Sequence, residues 1–245
     1  MRKVTYSNLK MLIACCFICF SVLTNAQEKT VNEILKGTQE AMKKHTDLSC
    51  NMNYNWYDTY TATRPSVEYK GVMIKQESVV YSKINQTFFI SDEKEQLALK
   101  CNEAQQALVV SKVNANQEQL PWELIEIYIK QFKIKKVIDK GDHWVCTLTT
   151  DVITQLPYGK VEIYIDKKSA LMTKQVLYFL SQVPYKNTKG EKKMGNPKLE
   201  ISLSNYKTVL NNEEKTTARL ATYIKGSGEN IAPVAAYKTF EIKRY

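Results

Sequence analysis

Apolar and polar residues alternate with a period of two along most of the chain, which is typical of β-strands that bury one face. The clearest segment is residues 50–56 (CNMNYNW), where asparagines take every second position. Regular alternation predicts five further strands, centred on Leu99, Cys146, Ile163, Tyr178 and Ile201. Less regular segments predict strands at residues 67–75, 78–82, 87–91, 107–113, 134–139, 216–224 and 235–243.

The connections between these segments are short and rich in turn-forming residues. Turns between neighbouring antiparallel strands are predicted at residues 92–94 (DEK), 140–142 (KGD), 166–168 (DKK) and 211–212 (NN). A parallel pair needs a long crossover, usually a helix, and little helical sequence lies between the strands. The pattern therefore predicts an antiparallel meander in a mainly β (α+β) fold.

Two segments break the strand pattern and predict helices. Residues 30–46 place apolar residues at steps of three and four, and Thr30 with Glu33 has the spacing of a capping box. Residues 121–132 (PWELIEIYIKQF) begin with proline and are apolar on almost every side. The second helix is interpreted as packed against the sheet, with a lid over a cavity as the alternative.

The N-terminus predicts a cleaved signal peptide over residues 1–26. Arg2, Lys3 and Lys10 precede an apolar stretch at residues 11–23, and cleavage is expected after Ala26. The stretch is shorter than the ~20 residues that cross a bilayer. We therefore expect residues 27–245 to reach the periplasm as a single domain. Lipidation at Cys15 is the alternative, but it would leave a very short apolar core.

The expected mature chain is basic. Removing residues 1–26 takes away three basic residues and no acidic ones, so Lys+Arg falls from 35 to 32 against 25 Asp+Glu and the net charge is about +7. Basic proteins are attracted to anionic surfaces, and export argues against nucleic acid as the partner. Residues 184–198 (PYKNTKGEKKMGNPK) are interpreted as a solvated hairpin loop, with contact to an anionic surface as the alternative.

No sequence motif points to catalysis, a metal or a cofactor. The chain has only two histidines, and Asp142 and His143, as neighbours in a turn and a strand, are expected to point in different directions. Walker, G-x-G-x-x-G and H-E-x-x-H patterns are absent. Cys50, Cys101 and Cys146 lie in alternating apolar segments, so buried thiols are favoured over a disulfide. We expect a protein that is not an enzyme.

Four segments carry a family resemblance: VNEILKGTQEAMKK, YKGVMIKQESVVYSKINQTFFIS, VEIYIDKKSALMTKQVLYF and AAYKTFEIKRY. They resemble the superfamily of periplasmic lipoprotein carriers and outer-membrane lipoprotein receptors (LolA/LolB-like), in particular divergent members from Bacteroidetes. The resemblance implies a curved antiparallel sheet or half-barrel of about ten or more strands, wrapped around the N-terminal helix and a second, lid-like helix. It also implies an apolar cavity that shields acyl chains.

This resemblance leads to a functional hypothesis: a monomeric periplasmic carrier or sensor that binds a lipid or an acylated lipoprotein and contacts the membrane peripherally. The alternative is an interaction module that binds another envelope protein through the face or edge of the sheet. Six residues are candidates for the cavity, and ordinary core packing is their alternative role. They are Met52, Tyr54, Trp56, Trp122, Ile125 and Ile129.

Overall fold

The computed structural model describes residues 30–113, 120–152, 155–187 and 189–244. The chain divides into Met1–Thr30 and Val31–Tyr245, and the fold described below is that of the second unit. The expected signal peptide, its cleavage position and Cys15 lie outside the described residues.

The described residues contain three α-helices and sixteen strands. The helices are α1 Val31–Lys44, α2 Ile125–Gln131 and α3 Asn212–Thr217. The strands are β1 Asp47–Tyr57, β2 Val67–Gln76, β3 Val79–Ile84, β4 Thr87–Asp92, β5 Leu97–Asn102, β6 Ala107–Lys112, β7 Ile134–Asp139, β8 His143–Thr149, β9 Tyr158–Asp166, β10 Met172–Phe179, β11 Val183–Lys186, β12 Lys192–Gly195, β13 Lys198–Lys207, β14 Ile224–Lys225, β15 Ala232–Pro233 and β16 Glu241–Arg244. Single turns of 3-10 helix occur at Leu220–Thr222, Gly228–Asn230 and Ala235–Tyr237.

Twelve of the strands form one curved, open sheet in the order β16-β6-β5-β4-β3-β2-β1-β13-β10-β9-β8-β7. It consists of two antiparallel meanders, β1 to β6 and β7 to β10, which β13 joins by pairing with both β1 and β10. The turn predicted at residues 140–142 is confirmed, and Gly141 there has a φ of +83°, which glycine adopts at little cost. The mainly β fold class and the helix near residue 30 are also confirmed.

Four predictions about the C-terminal quarter are wrong. Of the strand predicted at residues 235–243, only residues 241–243 are in β16, because Ala235–Tyr237 form a 3-10 turn. The last strand, β16, pairs with β6 in parallel, because the chain between them runs through the second meander before it returns. Residues 211–212 start α3 instead of a hairpin: Asn211 and Glu214 form a capping box. Of residues 216–224, only Ile224 is in a strand, and most of the others form the end of α3 and a 3-10 turn.

The sheet carries a hydrophobic core on each face. The helix-side core lies between α1, α2 and the strands of the second meander with β1 and β13. The C-terminal core lies on the opposite face of β2 to β6, where residues 208–242 cover it. The two cores meet at β2, where Met73 belongs to the first and Ile74 to the second. Successive strand residues point to opposite faces, so both sides of this strand are buried here.

Candidate functional site

A cavity with a volume of about 780 Å³ lies along β2 to β5. Its apolar lining comes from Tyr69, Ile84 and Phe89. The strand register places these side chains on the face that α1 and α2 cover further along the sheet: Tyr69 pairs with Tyr54, and Ile84 pairs with Gly71, which pairs with Met52. The cavity is therefore a continuation of the face that forms the helix-side core.

Gly71 lies in β2 between Tyr69 and Met73, on the face that carries the cavity. A Cβ at this position would lie 2.4 Å from the carbonyl oxygen of Lys83 and 3.3 Å from Cγ1 of Ile84. The absence of a side chain thus allows β3 to approach β2 closely, with the Ile84 side chain beside the glycine.

Polar residues from two hairpin turns line one end of the cavity. Asn85 and Gln86 belong to the turn between β3 and β4, and Asn102 ends β5. Asn85 has a positive φ of 52°, a conformation that asparagine tolerates better than most residues. The cavity therefore has apolar walls and a rim of uncharged amides, which suits a ligand with an apolar chain and a polar end.

The structure places five of the six candidate residues in or against the helix-side core. Ile125 is fully buried, Trp122 and Met52 are nearly so, and Tyr54 and Ile129 are partly buried. The sixth, Trp56, is half-buried and its ring lies 5.3 Å from that of Phe179. Five of the six residues therefore belong to one core, and none of the six lines the 780 Å³ cavity.

Two smaller cavities lie beside the helices, one at the C-terminus of α1 and one between α1 and α2. Trp122 lines one of about 310 Å³ with Lys43, Lys75 and Glu123, and Ile129 lines one of about 470 Å³. The Lys75 ammonium donates to the carbonyl oxygen of His45 at 2.8 Å and to that of Lys43 at 3.2 Å, so it caps the C-terminus of α1. Burial lowers the pKa of Lys75 and raises that of Glu123.

A polar cluster is buried where α2 meets the sheet. The Gln175 amide nitrogen donates to the Tyr128 hydroxyl oxygen at 2.5 Å, and the Tyr158 hydroxyl donates to the same oxygen at 3.3 Å. Burial raises the pKa of Tyr128 far above its usual range. The Oε1 atom of Gln175 and Oγ1 of Thr38 on α1 have no hydrogen-bond partner among the described residues. This part of the core therefore retains unused hydrogen-bonding capacity.

In the described part of the chain, the Asp142–His143 pair and the three cysteines do not form a catalytic arrangement. Contrary to expectation, the side chains of Asp142 and His143 do meet, with 2.5 Å between the carboxylate and Nδ1, but Asp142 is highly exposed. Cys50, Cys101 and Cys146 are buried and unpaired, and burial raises the pKa of each thiol to about 12. Such thiols are poor nucleophiles. Within the described ranges, no group of His, Cys, Asp and Glu could hold a metal ion.

Across the residues that the structure describes, no helix is both long enough and apolar enough to span a bilayer.

Comparison with known proteins gives loose structural likenesses only. No family model matches the sequence, and no curated protein matches it. A LolA superfamily protein from Nitrosomonas europaea aligns at 13% identity over 76% of this chain and 96% of that chain, with a TM-score of 0.35. A DUF1329 family protein from Desulfovibrio piger aligns at 10% identity over 72% and 91%, with a TM-score of 0.35. MucB, solved in complex with MucA(peri), aligns at 13% identity over 84% and 62%, with a TM-score of 0.38.

The first of these belongs to the superfamily that the sequence resembles, and the assignment to Bacteroidetes stays a prediction. At these identities and TM-scores the likenesses carry no conclusion about ligands or partners, so the functional argument rests on the geometry of this chain.

Sequence reasoning missed the residues that line the cavity. Tyr69, Ile84 and Phe89 lie in segments whose burial does not alternate regularly: residues 67–70 of β2 are exposed on both faces, whereas residues 88–90 of β4 are buried on both. Gly71 was an available signal, since a glycine inside a strand often marks a close approach of another backbone or a ligand. The pairing of Tyr69 with Tyr54 depends on register, which the sequence does not reveal.

Proposed function

We propose that this protein is a periplasmic carrier or sensor that binds a lipid or a lipoprotein acyl chain in the cavity beside the helix-side core. The observation that carries the proposal is the continuity of one apolar sheet face, from the core under α1 and α2 to the cavity wall at Tyr69, Ile84 and Phe89. A carrier needs such a surface, because a bound chain must lose its contact with water along its length.

The dimensions and lining of the cavity suit such a ligand. Its volume of about 780 Å³ falls within the range of roughly 300–1,000 Å³ that small-molecule sites occupy. Each methylene group removed from water contributes about 0.8 kcal/mol, so a few buried methylenes already give measurable affinity. The amide rim at Asn85, Gln86 and Asn102 offers hydrogen bonds to an uncharged polar group such as an ester.

The six candidate residues have two roles in this proposal. Met52, Tyr54 and Trp56 extend the floor beyond Tyr69, because β1 is the next strand of the sheet. Trp122, Ile125 and Ile129 form the cover over that floor from α2 and the residues before it. A chain longer than the cavity would displace part of this cover. Binding then involves no catalysis and a single copy of the protein.

The test fills the cavity with a large side chain placed at one of its own lining positions. Ser82 lines the cavity and is paired with Phe89, so Ser82→Trp would fill the space from within. The matched control is Ser204→Trp, which places the same ring at an exposed position on the other face. Residues 27–245 would be purified from a bacterial periplasm, and bound lipid would be measured by native mass spectrometry and solvent extraction.

We expect lipid to be recovered with the unaltered protein and with Ser204→Trp, and at least tenfold less with Ser82→Trp. Circular dichroism and the thermal midpoint of both variants would confirm that they fold. Absence of lipid from the unaltered protein, or equal lipid in Ser82→Trp, would contradict the proposal.

A second candidate function is an interaction module that uses the edge of the sheet. The observation that favours it is the edge strand β7, where Ile134 and Ile138 are 44% and 48% exposed. An edge with apolar side chains can add a strand from another protein. Replacing both isoleucines by lysine would abolish capture of an envelope protein by this route, and bound lipid would be unaffected.

A further inference from the structure

The hairpin formed by β11 and β12 packs one of its faces against the body of the protein. Val183 and Tyr185 are only partly exposed, and Gly195, the partner of Val183, is buried. A Cβ on Gly195 would lie 2.6 Å from the carbonyl oxygen of Asp58 and 3.0 Å from the Tyr185 ring. The hairpin is therefore held against the chain at residues 58–59, and its orientation is fixed.

The other face of the hairpin points into solvent and combines apolar and basic residues. Pro184 pairs with Met194, and Lys186 pairs with Lys192. Paired residues and residues two positions apart share one face of a ladder, so these four side chains lie together. All four are exposed, and Met194 is 57% exposed. This set of four residues is called the hairpin face below.

Other apolar side chains are exposed at the same end of the sheet. Leu180 is 56% exposed and follows β10 directly, and its backbone N–H donates to the carbonyl oxygen of Pro157 at 2.9 Å. Val152 is 58% exposed and belongs to the loop that precedes β9. Asn196, which follows the hairpin, donates to the carbonyl oxygen of Leu180 at 2.7 Å. The hairpin and Leu180 are thus linked by a hydrogen bond, and Val152 follows β8 at the same end of the sheet, where Thr149 pairs with Lys160 and Lys160 with Tyr178.

This end is also strongly basic. Residues 183–195 contain four lysines and one acidic residue, Glu191, so their net charge is +3. Glu191 lies 3.6 Å from Lys193. Lys186 and Lys192 form no ion pair with the described residues. Their ammonium groups are therefore available to an external anion.

We propose that the hairpin face, with Leu180 and Val152, docks this protein on the surface of an anionic membrane. Exposed apolar side chains insert among lipid headgroups while neighbouring lysines neutralise the phosphates, and the two contributions add. A membrane surface presents anionic headgroups directly beside apolar acyl chains, which matches lysines placed beside Met194 and Leu180. The membrane surface therefore accounts for both features of this end.

The position of the hairpin face also suits the carrier function proposed above. Trp56 and Phe179, whose rings are in contact, lie at the ends of β1 and β10 that approach the hairpin, and Phe179 packs against the helix-side core. Docking through the hairpin face would bring that edge of the apolar sheet face close to the bilayer. Membrane docking itself does not rest on the proposed function, because surface binding is measured without reference to a bound chain.

The charge component is tested by flotation of residues 27–245 with vesicles of phosphatidylcholine containing 30% phosphatidylglycerol. We expect binding that falls with salt, and at least a tenfold loss of partitioning for Lys186→Glu/Lys192→Glu, since each basic residue near an anionic surface contributes substantially. The matched control is Lys140→Glu/Lys168→Glu, which changes the net charge equally in two exposed turns at the opposite end of the sheet. This control should bind within about twofold of the unaltered protein.

The apolar component is tested with Met194→Ser and its control Val209→Ser. Val209 is 80% exposed and lies beyond the other end of β13. We expect Met194→Ser to weaken binding severalfold at high salt and Val209→Ser to leave it unchanged. The proposal is overturned if the unaltered protein does not float with the anionic vesicles, if the control pair weakens binding as much as the hairpin pair, or if polyglutamate but not vesicles is bound. The lipid content of the purified protein is a separate measurement, so failure here leaves the carrier proposal standing.

Discussion

The C-terminal core and the helix-side core lie on opposite faces of one sheet and are filled by different kinds of contact. In the C-terminal core, aromatic rings meet directly: Phe88 lies 4.4 Å from Tyr223, whose hydroxyl donates to the carbonyl oxygen of Thr217. In the helix-side core, Gln175 and Thr38 are buried with an acceptor unused. A core with satisfied polar groups resists rearrangement, whereas unsatisfied groups lower the cost of opening. We therefore expect the covering by α1 and α2 to open at a lower cost than the C-terminal covering.

The largest expected loss in the free energy of unfolding comes from a substitution in the C-terminal core. Phe88 is 1% exposed and contacts Tyr81, Tyr223 and Tyr237. Phe88→Ala should lower the free energy of unfolding by about 3–5 kcal/mol, since the covering segment cannot collapse into the space left by the ring. Urea denaturation followed by tryptophan fluorescence measures this change. A loss below about 1 kcal/mol would mean that the C-terminal segment repacks freely.

An intermediate loss in the free energy of unfolding is expected from a substitution in the polar cluster of the helix-side core. Tyr128→Phe removes the hydroxyl oxygen that accepts from Gln175 and Tyr158, and it should cost about 1–3 kcal/mol because two buried donors lose their partner.

Adding Gln175→Met to Tyr128→Phe should recover most of that loss, since the buried amide is then gone as well. A double-mutant cycle in urea measures the coupling between the two positions. If Tyr128→Phe alone leaves the free energy of unfolding unchanged, the hydrogen bonds from Gln175 and Tyr158 to Tyr128 do not hold α2 against the sheet.

The smallest expected loss in the free energy of unfolding comes from a substitution of Glu214, whose hydrogen bonds hold the beginning of the C-terminal segment. Its carboxylate accepts from the backbone N–H of Asn211 at 2.9 Å, from Ser49 at 3.0 Å and from Lys207 at 3.1 Å. The Asn211 N–H contributes most to holding the pKa of Glu214 below its usual range. Glu214→Gln should cost about 1 kcal/mol at neutral pH.

The pH dependence of the Glu214 effect has a definite sign. A lowered pKa stabilises the fold above the unfolded value of about 4.3, and that stabilisation is lost as the pH falls through the lower folded value. The difference in thermal midpoint between the unaltered protein and Glu214→Gln should therefore be present at pH 7 and shrink below about pH 4. A difference that stays constant down to pH 3 would exclude the carboxylate charge as its cause.

The sequence revealed the strands of the second meander more clearly than the C-terminal covering. Alternation around Cys146 and Ile163 survives in the structure because one face of those strands packs under helices and the other meets solvent. Residues 216–224 also alternate, but the capping pair Asn211 and Glu214 begins a helix just before them. The capping pair was visible in the sequence, and in the structure it determines the fold of this segment more strongly than the alternation does.

The residues of the candidate site also differ in how well the sequence identified them. Alternation in residues 50–56 correctly places Met52, Tyr54 and Trp56 on one face of the sheet. It could not identify Tyr69 or Ile84 as neighbours, because a register is set by many pairings along two strands. Whether these residues bind an acyl chain stays a prediction.

The parallel pairing of Glu241–Arg244 with Ala107–Val110 ties the final residues of the chain to a strand synthesised far earlier. A ribosome or a translocase delivers the chain from its N-terminus. One edge of β6 therefore has no partner strand until the whole second meander has been produced. During that interval the apolar residues of β2 to β6 also lack their C-terminal covering. Folding of this half is therefore late, and a chain that stops before residue 208 would leave it open to aggregation.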